Sequence, residues 1–256
     1  MKALLELENI TAGYRGNRGV MDKQTLRNIN LVVHEGELLV LAGPNGSGKT
    51  TLLKTAGGVL PPLEGRVAIN GREINLLKPR ERAALTAFLF QLRDSPWPFT
   101  VRETIAQGRF ARHGWLGAET RNDRDEINAA MEKADITGLS ERPVTELSGG
   151  ELQRVYIARC IAQGASFLLL DEPENNLDPK YAYMILSLIS NTVREGRGAI
   201  VSLHDLRLAS RFAHRIALIG NGTITAIGSP AEVLTEEILS RVYDLPPELV
   251  RDLILP

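Results

Sequence analysis

The 256-residue sequence lacks several features that would point to particular classes of protein. Its single cysteine, Cys160, excludes an intrachain disulfide and is typical of a protein from a reducing compartment. The 30 basic and 31 acidic residues nearly cancel, so the charge gives no reason to expect nucleic acid as a partner. No apolar run approaches the roughly 18 residues of a membrane-spanning helix, and residues 1–9 carry acids among their leucines, unlike a signal peptide. We therefore expect a soluble protein of the cytoplasm.

The most informative stretch that is present covers residues 37–52, which read ELLVLAGPNGSGKTTL. Leu38–Ala42 has the apolar character of a buried strand, and a helix is predicted from Lys49 to Thr55. Residues 43–50 between them match the P-loop pattern G-x-x-x-x-G-K-[ST]. In such a loop, backbone N–H groups and the helix N-terminus surround a polyphosphate. The predicted phosphate-binding residues are Gly43, Pro44, Asn45, Gly46, Ser47, Gly48, Lys49, Thr50 and Thr51.

Four side chains near this loop are predicted to carry the phosphate chemistry. Lys49 should reach the β- and γ-phosphates, and the Thr50 hydroxyl should coordinate Mg²⁺. Asp171 follows the apolar strand 167–170 and is predicted to bind the same ion, directly or through water. Its neighbour Glu172 is predicted to orient or deprotonate the water that attacks the γ-phosphate. The alternative is that both carboxylates only cap a helix beyond the strand, but the upstream P-loop favours the catalytic role.

Polar residues also follow the other predicted strands of the core. The four strand-end residues are Gly43, Gln91, Asp171 and His204, after strands at 38–42, 84–90, 167–170 and 199–203. Open parallel sheets bind ligands just beyond the carboxyl ends of their strands. His204 is therefore predicted to contact the γ-phosphate rather than to be a satisfied core histidine. Gln91 is predicted to contact Mg²⁺ or the attacking water.

A second glycine-containing helix start lies at residues 147–151, which read LSGGE. Ser148 and Glu151 fit a capping box, which is the structural interpretation of this stretch. However, Gly149 and Gly150 in a first helical turn each cost about 1 kcal/mol relative to alanine. They are explained if a ligand approaches the backbone closely, and a helix start with free N–H groups binds phosphate. One nucleotide does not need two such sites from one chain, so we predict that this one serves the nucleotide of another subunit.

Two further residues are candidates for nucleotide or subunit contacts. Tyr14 follows a predicted strand and is expected to stack on adenine, although it could also be a partly exposed turn aromatic. Asp178 precedes Pro179 and is predicted to cap a helix over 179–194. Whether Asp178 also reaches across a subunit interface is left open by the residues alone.

The remaining pattern predicts an α/β protein. Strands at 4–10 and 29–34 and a hairpin at 65–74 around Asn70-Gly71 indicate a small antiparallel sheet near the N-terminus. A helical block from about residue 100 to 162 interrupts the strands of the core.

Together these motifs resemble those of the ATP-binding subunit of ABC transporters, over nearly the whole chain. The matching stretches are GPNGSGKTT for the P-loop, LSGGELQRV for the signature and FLLLDEP for the strand with its glutamate. The resemblance also identifies residues 176–178 as the D-loop, Gln91 as the Q-loop, His204 as the switch histidine and Tyr14 as the A-loop aromatic. The implied fold is a P-loop NTPase (RecA-like) parallel-sheet core with an N-terminal antiparallel β subdomain. Residues 1–92 and 165–256 would form these parts, and 93–164 an inserted α-helical signature subdomain.

The resemblance further implies an ATPase that uses Mg²⁺ and works as a head-to-tail pair of identical subunits. FTVRETIAQGRFARHGW and AIGSPAEVLTEEILSRVYDL are similar to the subunits that energise import of iron–siderophores, haem and cobalamin. Such a subunit would lie on the inner face of the cell membrane, bound to a polytopic permease that receives cargo from a periplasmic or extracellular binding protein. The alternatives are a soluble family member, for example in iron–sulfur cluster assembly, and a P-loop kinase or GTPase. One departure is Glu174-Asn175-Asn176, where the family usually has Thr followed by Ser-Ala or Asn-His.

Overall fold

The computed structural model describes residues 3–15, 21–90, 97–113 and 118–254. The strands are β1 Ala3–Arg15, β2 Met21–His34, β3 Leu38–Ala42, β4 Glu64–Ile69, β5 Arg72–Glu73, β6 Thr86–Leu89, β7 Phe167–Asp171, β8 Gly198–Ser202, β9 Arg215–Gly220 and β10 Thr223–Gly228. The helices are α1 Lys49–Ala56, α2 Pro79–Leu85, α3 Val101–Ala106, α4 Phe110–His113, α5 Arg121–Lys133, α6 Gly149–Ala162, α7 Pro179–Arg194, α8 Leu206–Phe212, α9 Pro230–Val233, α10 Glu236–Tyr243 and α11 Pro247–Ile254. These elements confirm the predicted α/β class.

The larger sheet has the strand order β10-β9-β3-β8-β7-β6, in which every pair is parallel except β10 with β9. Its central strands are buried on both faces, which explains why they appear in the sequence as continuous apolar runs. The four strands that precede the predicted residues Gly43, His204, Asp171 and Gln91 are the neighbours β3, β8, β7 and β6. Their ends therefore lie along one edge of the sheet.

The smaller sheet is antiparallel, with the order β2-β1-β4-β5. The predicted Asn70-Gly71 hairpin is confirmed, since both turn residues have positive φ (+51° and +72°) between β4 and β5. The strand predicted at 4–10 is too short, because β1 continues to Arg15 and pairs there with β2, so Tyr14 lies in a strand and not in a turn. Ala12 is fully buried in this pairing, so the long antiparallel contact overrides the local glycine.

The helical block predicted between residues 100 and 162 is present, although its first helix is interrupted. α3 ends at Ala106, and a 3₁₀ turn over Gln107–Arg109 separates it from α4. Arg109 Nε donates to Asp123 Oδ1 at 2.8 Å, both side chains being buried, and joins this region to α5. Burial raises the pKa of Asp123, but hydrogen bonds from Thr120 and Arg109 outweigh it and bring the pKa to about 2. The division into 1–92 with 165–256 and a subdomain at 93–164 stays a prediction.

The sequence did not predict α2. The last two residues of this helix, 84 and 85, fell in the strand predicted at 84–90. Pro79 stands at its first position, and the Lys78 N–H donates to the Glu81 carboxylate at 3.1 Å. β6 therefore begins only at Thr86. Among the helices of the described ranges, none is long and apolar enough to cross a bilayer.

Candidate nucleotide-binding site

The loop between β3 and α1 has the geometry of an anion-binding site. Gly46 and Gly48 adopt φ of +74° and +115°, which glycine tolerates without strain. α1 has no side-chain cap, whereas α3, α5, α6 and α7 each begin with a side chain that accepts a backbone N–H. The buried Ser47 hydroxyl has no hydrogen-bond partner among the described residues. Unsatisfied donors at a helix N-terminus fit the phosphates of a nucleotide.

Lys49 lies across this loop. Its ammonium group donates to the carbonyl oxygens of Gly43 at 2.8 Å and Pro44 at 3.1 Å. Burial lowers the pKa of Lys49, while the nearby charges of Glu172 and Asp171 act in the opposite direction. The loop therefore holds a buried amine beside two carboxylates, where an incoming phosphate can replace the carbonyl contacts.

Asp171 receives hydrogen bonds from two hydroxyl groups on neighbouring elements. The Thr50 hydroxyl donates to Asp171 Oδ2 at 2.8 Å, and the Ser202 hydroxyl donates to Oδ1 at 2.6 Å. A hydroxyl and a carboxylate in contact are the oxygen ligands that Mg²⁺ prefers, so these residues fit the predicted ion. The structure thus places Thr50 and Asp171 side by side, as the metal-site prediction requires.

Glu172 lies at the start of a strained turn, with φ of +50°. Its backbone N–H donates to the Ser202 hydroxyl at 2.9 Å, and its Oε1 is 2.5 Å from His204 Nε2. Glu172 also lines the cavity of about 360 Å³ that contains Lys49 and Thr50. The predicted base and the predicted switch histidine are therefore in direct contact at the edge of the phosphate site.

Tyr14 lines the same cavity from β1, together with Thr25 of β2. Its side chain is 43% exposed, and the Lys54 ammonium lies 5.8 Å from the ring centroid. An exposed ring at the mouth of the cavity is available to stack on a base. Gln91, predicted to contact Mg²⁺ or water, lies outside the described residues.

Sequence reasoning missed Ser202 and Thr25. Ser202 connects Asp171 to the backbone of Glu172, and its only sequence signal was a polar residue closing the apolar run AIVS. Thr25 precedes the strand predicted at 29–34 and had no predicted role, and it enters the site through the pairing of β2 with β1.

The signature residues Ser148 to Glu151 form a capped helix start apart from this cavity. The Ser148 hydroxyl donates to the Glu151 carboxylate at 2.7 Å and accepts the Glu151 N–H at 3.4 Å. Hydrogen bonds from the Ser148 side chain and backbone lower the pKa of Glu151. None of the four residues lines the described cavity beside the P-loop. Ser148 and Gly149 are exposed at the surface, so this helix start can face another molecule.

The two signature glycines have different structural reasons. A Cβ at Gly150 would lie 2.8 Å from the ring of Tyr181 in the same chain, whereas a Cβ at Gly149 would meet nothing within 4 Å. Gly150 is therefore required by internal packing. Gly149 has no such reason within the described chain, so of these two glycines it is the one whose position is open to an external group.

A pair of alanine substitutions tests this difference. Both variants replace glycine with alanine in the same helix, so the gain in helix propensity cancels when their free energies of unfolding are compared. Gly150→Ala is expected to have a free energy of unfolding lower than Gly149→Ala by about 1–3 kcal/mol, because the added methyl group overlaps Tyr181. Urea unfolding of the two variants measures the difference. Equal stabilities would show that Tyr181 moves aside without cost.

Asp178 occupies the N-cap of α7 as predicted and accepts the Tyr181 N–H at 3.2 Å. Its side chain is exposed. A contact of Asp178 with a second subunit stays a prediction.

Comparisons with known proteins agree with the site. Residues 26–175 match the family model described as ABC transporter. The chain is 40% identical over 236 residues to the hemin import ATP-binding protein HmuV of Streptomyces coelicolor, covering 91% of this chain and 81% of that protein. It is 36% identical over 235 residues to the iron(3+)-hydroxamate import ATP-binding protein FhuC of Bacillus subtilis, covering 91% and 87%.

A third relative is longer than this chain. The uncharacterized ABC transporter ATP-binding protein YvrA of Bacillus subtilis is 38% identical over 242 residues, which are 94% of this chain but only 53% of YvrA. The chain thus spans about half the length of that relative.

Two solved structures share the fold. One is an inward-facing transporter described as metal-chelate type, with a TM-score of 0.82 and 25% identity over 96% of this chain and 90% of that one. The other is the dimeric ATP-binding cassette MJ0796 bound to ADP and Pi in a post-hydrolysis state, with a TM-score of 0.76 and 28% identity over 89% and 99%. The parallel-sheet core of nucleotide-binding cassettes is therefore the fold of this chain.

Proposed function

Because the chain belongs to the ABC transporter family and is an ATPase of its ATP-binding cassette type, we propose that it energises import of an iron chelate. Haem and ferric siderophores are the favoured cargoes, since relatives at 36–40% identity carry the names of haemin and iron(3+)-hydroxamate importers. Cobalamin is a further cargo of the proposed class. The cargo contacts other chains, because the described site contains only phosphate, metal and base positions.

The observation that supports the mechanism is the separation of two half-sites. The cavity beside the P-loop holds the proposed groups for phosphate, metal and water but none of the signature residues. The exposed α6 N-terminus offers Gly149 with open space above it. We propose that each ATP lies between the P-loop of one subunit and Ser148-Gly149-Gly150 of a second copy. ATP then closes the pair, and hydrolysis allows it to open.

Within each site we propose a division of roles. Lys49 and the loop amides stabilise phosphate charge, and Glu172 orients or deprotonates the attacking water. His204 holds the γ-phosphate and contacts Glu172 at 2.5 Å. Thr50, Asp171 and Gln91 would hold Mg²⁺, which supplies positive charge to the transferred phosphoryl group.

Transport requires other subunits. We propose that the chain binds a polytopic permease at the inner face of the cell membrane, and that a periplasmic or extracellular binding protein delivers the cargo to that permease. Trp97 and Phe99, at the end of the segment from residue 93, are 65% and 43% exposed. Exposed aromatic side chains of this kind are typical of partner surfaces.

Uptake measurements test this proposal. Loss of the gene is expected to stop uptake of labelled haem or of a labelled ferric siderophore, and a wild-type copy is expected to restore it. A Glu172→Gln copy should not restore it. Tagged protein should also recover a polytopic membrane protein from detergent extract. Normal uptake of these cargoes, with only soluble partners recovered, would favour a non-transport role such as iron–sulfur cluster assembly.

A further inference from the structure

The turn after β7 carries Glu172 and also contacts His204. It runs from Glu172 to Asn176, and its two end residues have φ of +50° and +61°. The Gln153 side chain of α6 donates to the Pro173 carbonyl at 2.7 Å and fixes the middle of the turn. Residues 174–176 of this turn are those that depart from the usual family pattern.

Asn175 holds one oxygen of the Glu172 carboxylate. Its side-chain amide donates to Glu172 Oε2 at 3.2 Å, while His204 Nε2 lies 2.5 Å from Oε1. The two contacts are made to different oxygens, so each oxygen of the carboxylate has a partner. A carboxylate oxygen can accept more than one hydrogen bond, so these two contacts do not by themselves exclude a water molecule.

Glu174 holds the backbone that carries His204. Its side chain is only 8% exposed, and its Oε1 accepts the His204 N–H at 3.2 Å. Its Oε2 is buried without a hydrogen-bond partner among the described residues. Burial, with a smaller contribution from the charge of Glu172, raises the pKa of Glu174. A carboxyl group kept in this place costs desolvation energy. Besides a hydrogen bond with its own backbone, it contacts the His204 backbone.

We propose that Glu174 and Asn175 are positioning residues for ATP hydrolysis. Asn175 orients the Glu172 carboxylate, and Glu174 fixes the chain at residue 204 so that the imidazole meets the other oxygen. Neither residue lines the described nucleotide cavity, so both act through their neighbours. The inference rests on the proposed roles of Glu172 and His204.

Kinetics of Asn175 variants test the first contact. Asn175→Ala removes a hydrogen bond to a charged group, and the expected result is a fall in kcat of about tenfold. Asn175→Asp has the same shape but places a second carboxylate against Glu172, so its kcat should fall further. The Kd for ATP and the melting temperature should remain at wild-type values in both. Asn191→Ala, at an exposed position of α7, is the matched control and should keep the wild-type kcat.

Glu174 variants test the second contact. Glu174→Ala is expected to lower kcat without changing the Kd for ATP. Glu174→Gln keeps an acceptor oxygen for the His204 N–H and is expected to recover most of the loss. Wild-type kcat in a folded Glu174→Ala would overturn the role of Glu174. If that variant does not fold, the exposed Asn175 still tests the positioning of Glu172.

Three results separate the possible failures. Wild-type kcat in both Asn175 variants would overturn the positioning role. A fall in kcat accompanied by equal losses in ATP affinity and melting temperature would also overturn it, because that is a general structural effect. Glu172→Gln is measured alongside, and full turnover in that variant would remove the proposed function of Glu172 itself, independently of Asn175.

Discussion

Replacing Glu172 with glutamine is expected to lower ATP turnover by a factor of about 10²–10⁴ while ATP binding persists. Glutamine has the shape of glutamate and can still accept a hydrogen bond from His204, which lies 2.5 Å from Oε1. It cannot take a proton from water. The P-loop, Lys49 and the Thr50–Asp171 contact are unchanged, so the nucleotide should bind normally.

The same variant should accumulate as a closed pair. If ATP closes two subunits and only hydrolysis opens them, a subunit that binds without hydrolysing remains paired. Size-exclusion chromatography with ATP and a phosphate-release assay measure the two effects. Glu132→Gln, at an exposed position of α5, is the matched control and should behave as the wild type. Full turnover by Glu172→Gln would show that another group activates the water.

Replacing Gly149 with aspartate is expected to reduce ATP hydrolysis by about a hundredfold or more without unfolding the protein. A Cβ atom at this position would meet nothing within 4 Å, and a negative charge in the first turn of α6 is favourable to the helix. The melting temperature should therefore not fall. The same carboxylate would stand against the γ-phosphate of the partner's ATP, where like charges repel.

The Gly149→Asp variant should still bind ATP, because its own P-loop is intact. Fluorescence titration with a labelled nucleotide measures this affinity, and phosphate release measures turnover. Gly149→Ala separates the effect of charge from that of bulk and should lose less activity. If Gly149→Asp hydrolyses ATP at the wild-type rate, the signature residues do not face phosphate in the working enzyme.

Much of the candidate site could be predicted because its residues occupy strand ends. β3 is an apolar run followed by Gly43, β7 ends at Asp171, and His204 lies two residues beyond β8. Parallel pairing brings such ends together whatever the intervening chain does. The Thr50–Asp171 contact at 2.8 Å joins residues 121 positions apart, yet it follows from the motif and the sheet.

The other features of the fold and the site depend on tertiary contacts, which local sequence patterns do not reveal. β1 runs through a glycine because it pairs with β2 along its length, and Thr25 reaches the site by that pairing. The contact of Gly150 with Tyr181 joins two helices, and Ser202 acts by linking β8 to the end of β7. Glu174 and Asn175 were recognised only as departures from a family pattern, because their partners come from the folded turn.

Mixing two inactive variants tests most directly whether each site is built from two subunits. Lys49→Ala lacks the phosphate lysine but has an intact signature, and Gly149→Asp has the reverse, so each alone should have almost no ATPase activity. Random pairing makes half the pairs mixed, each with one complete site, so the equimolar mixture should recover about a quarter of the wild-type activity. No recovery on mixing, or full activity of either variant as a monomer, would contradict the shared site.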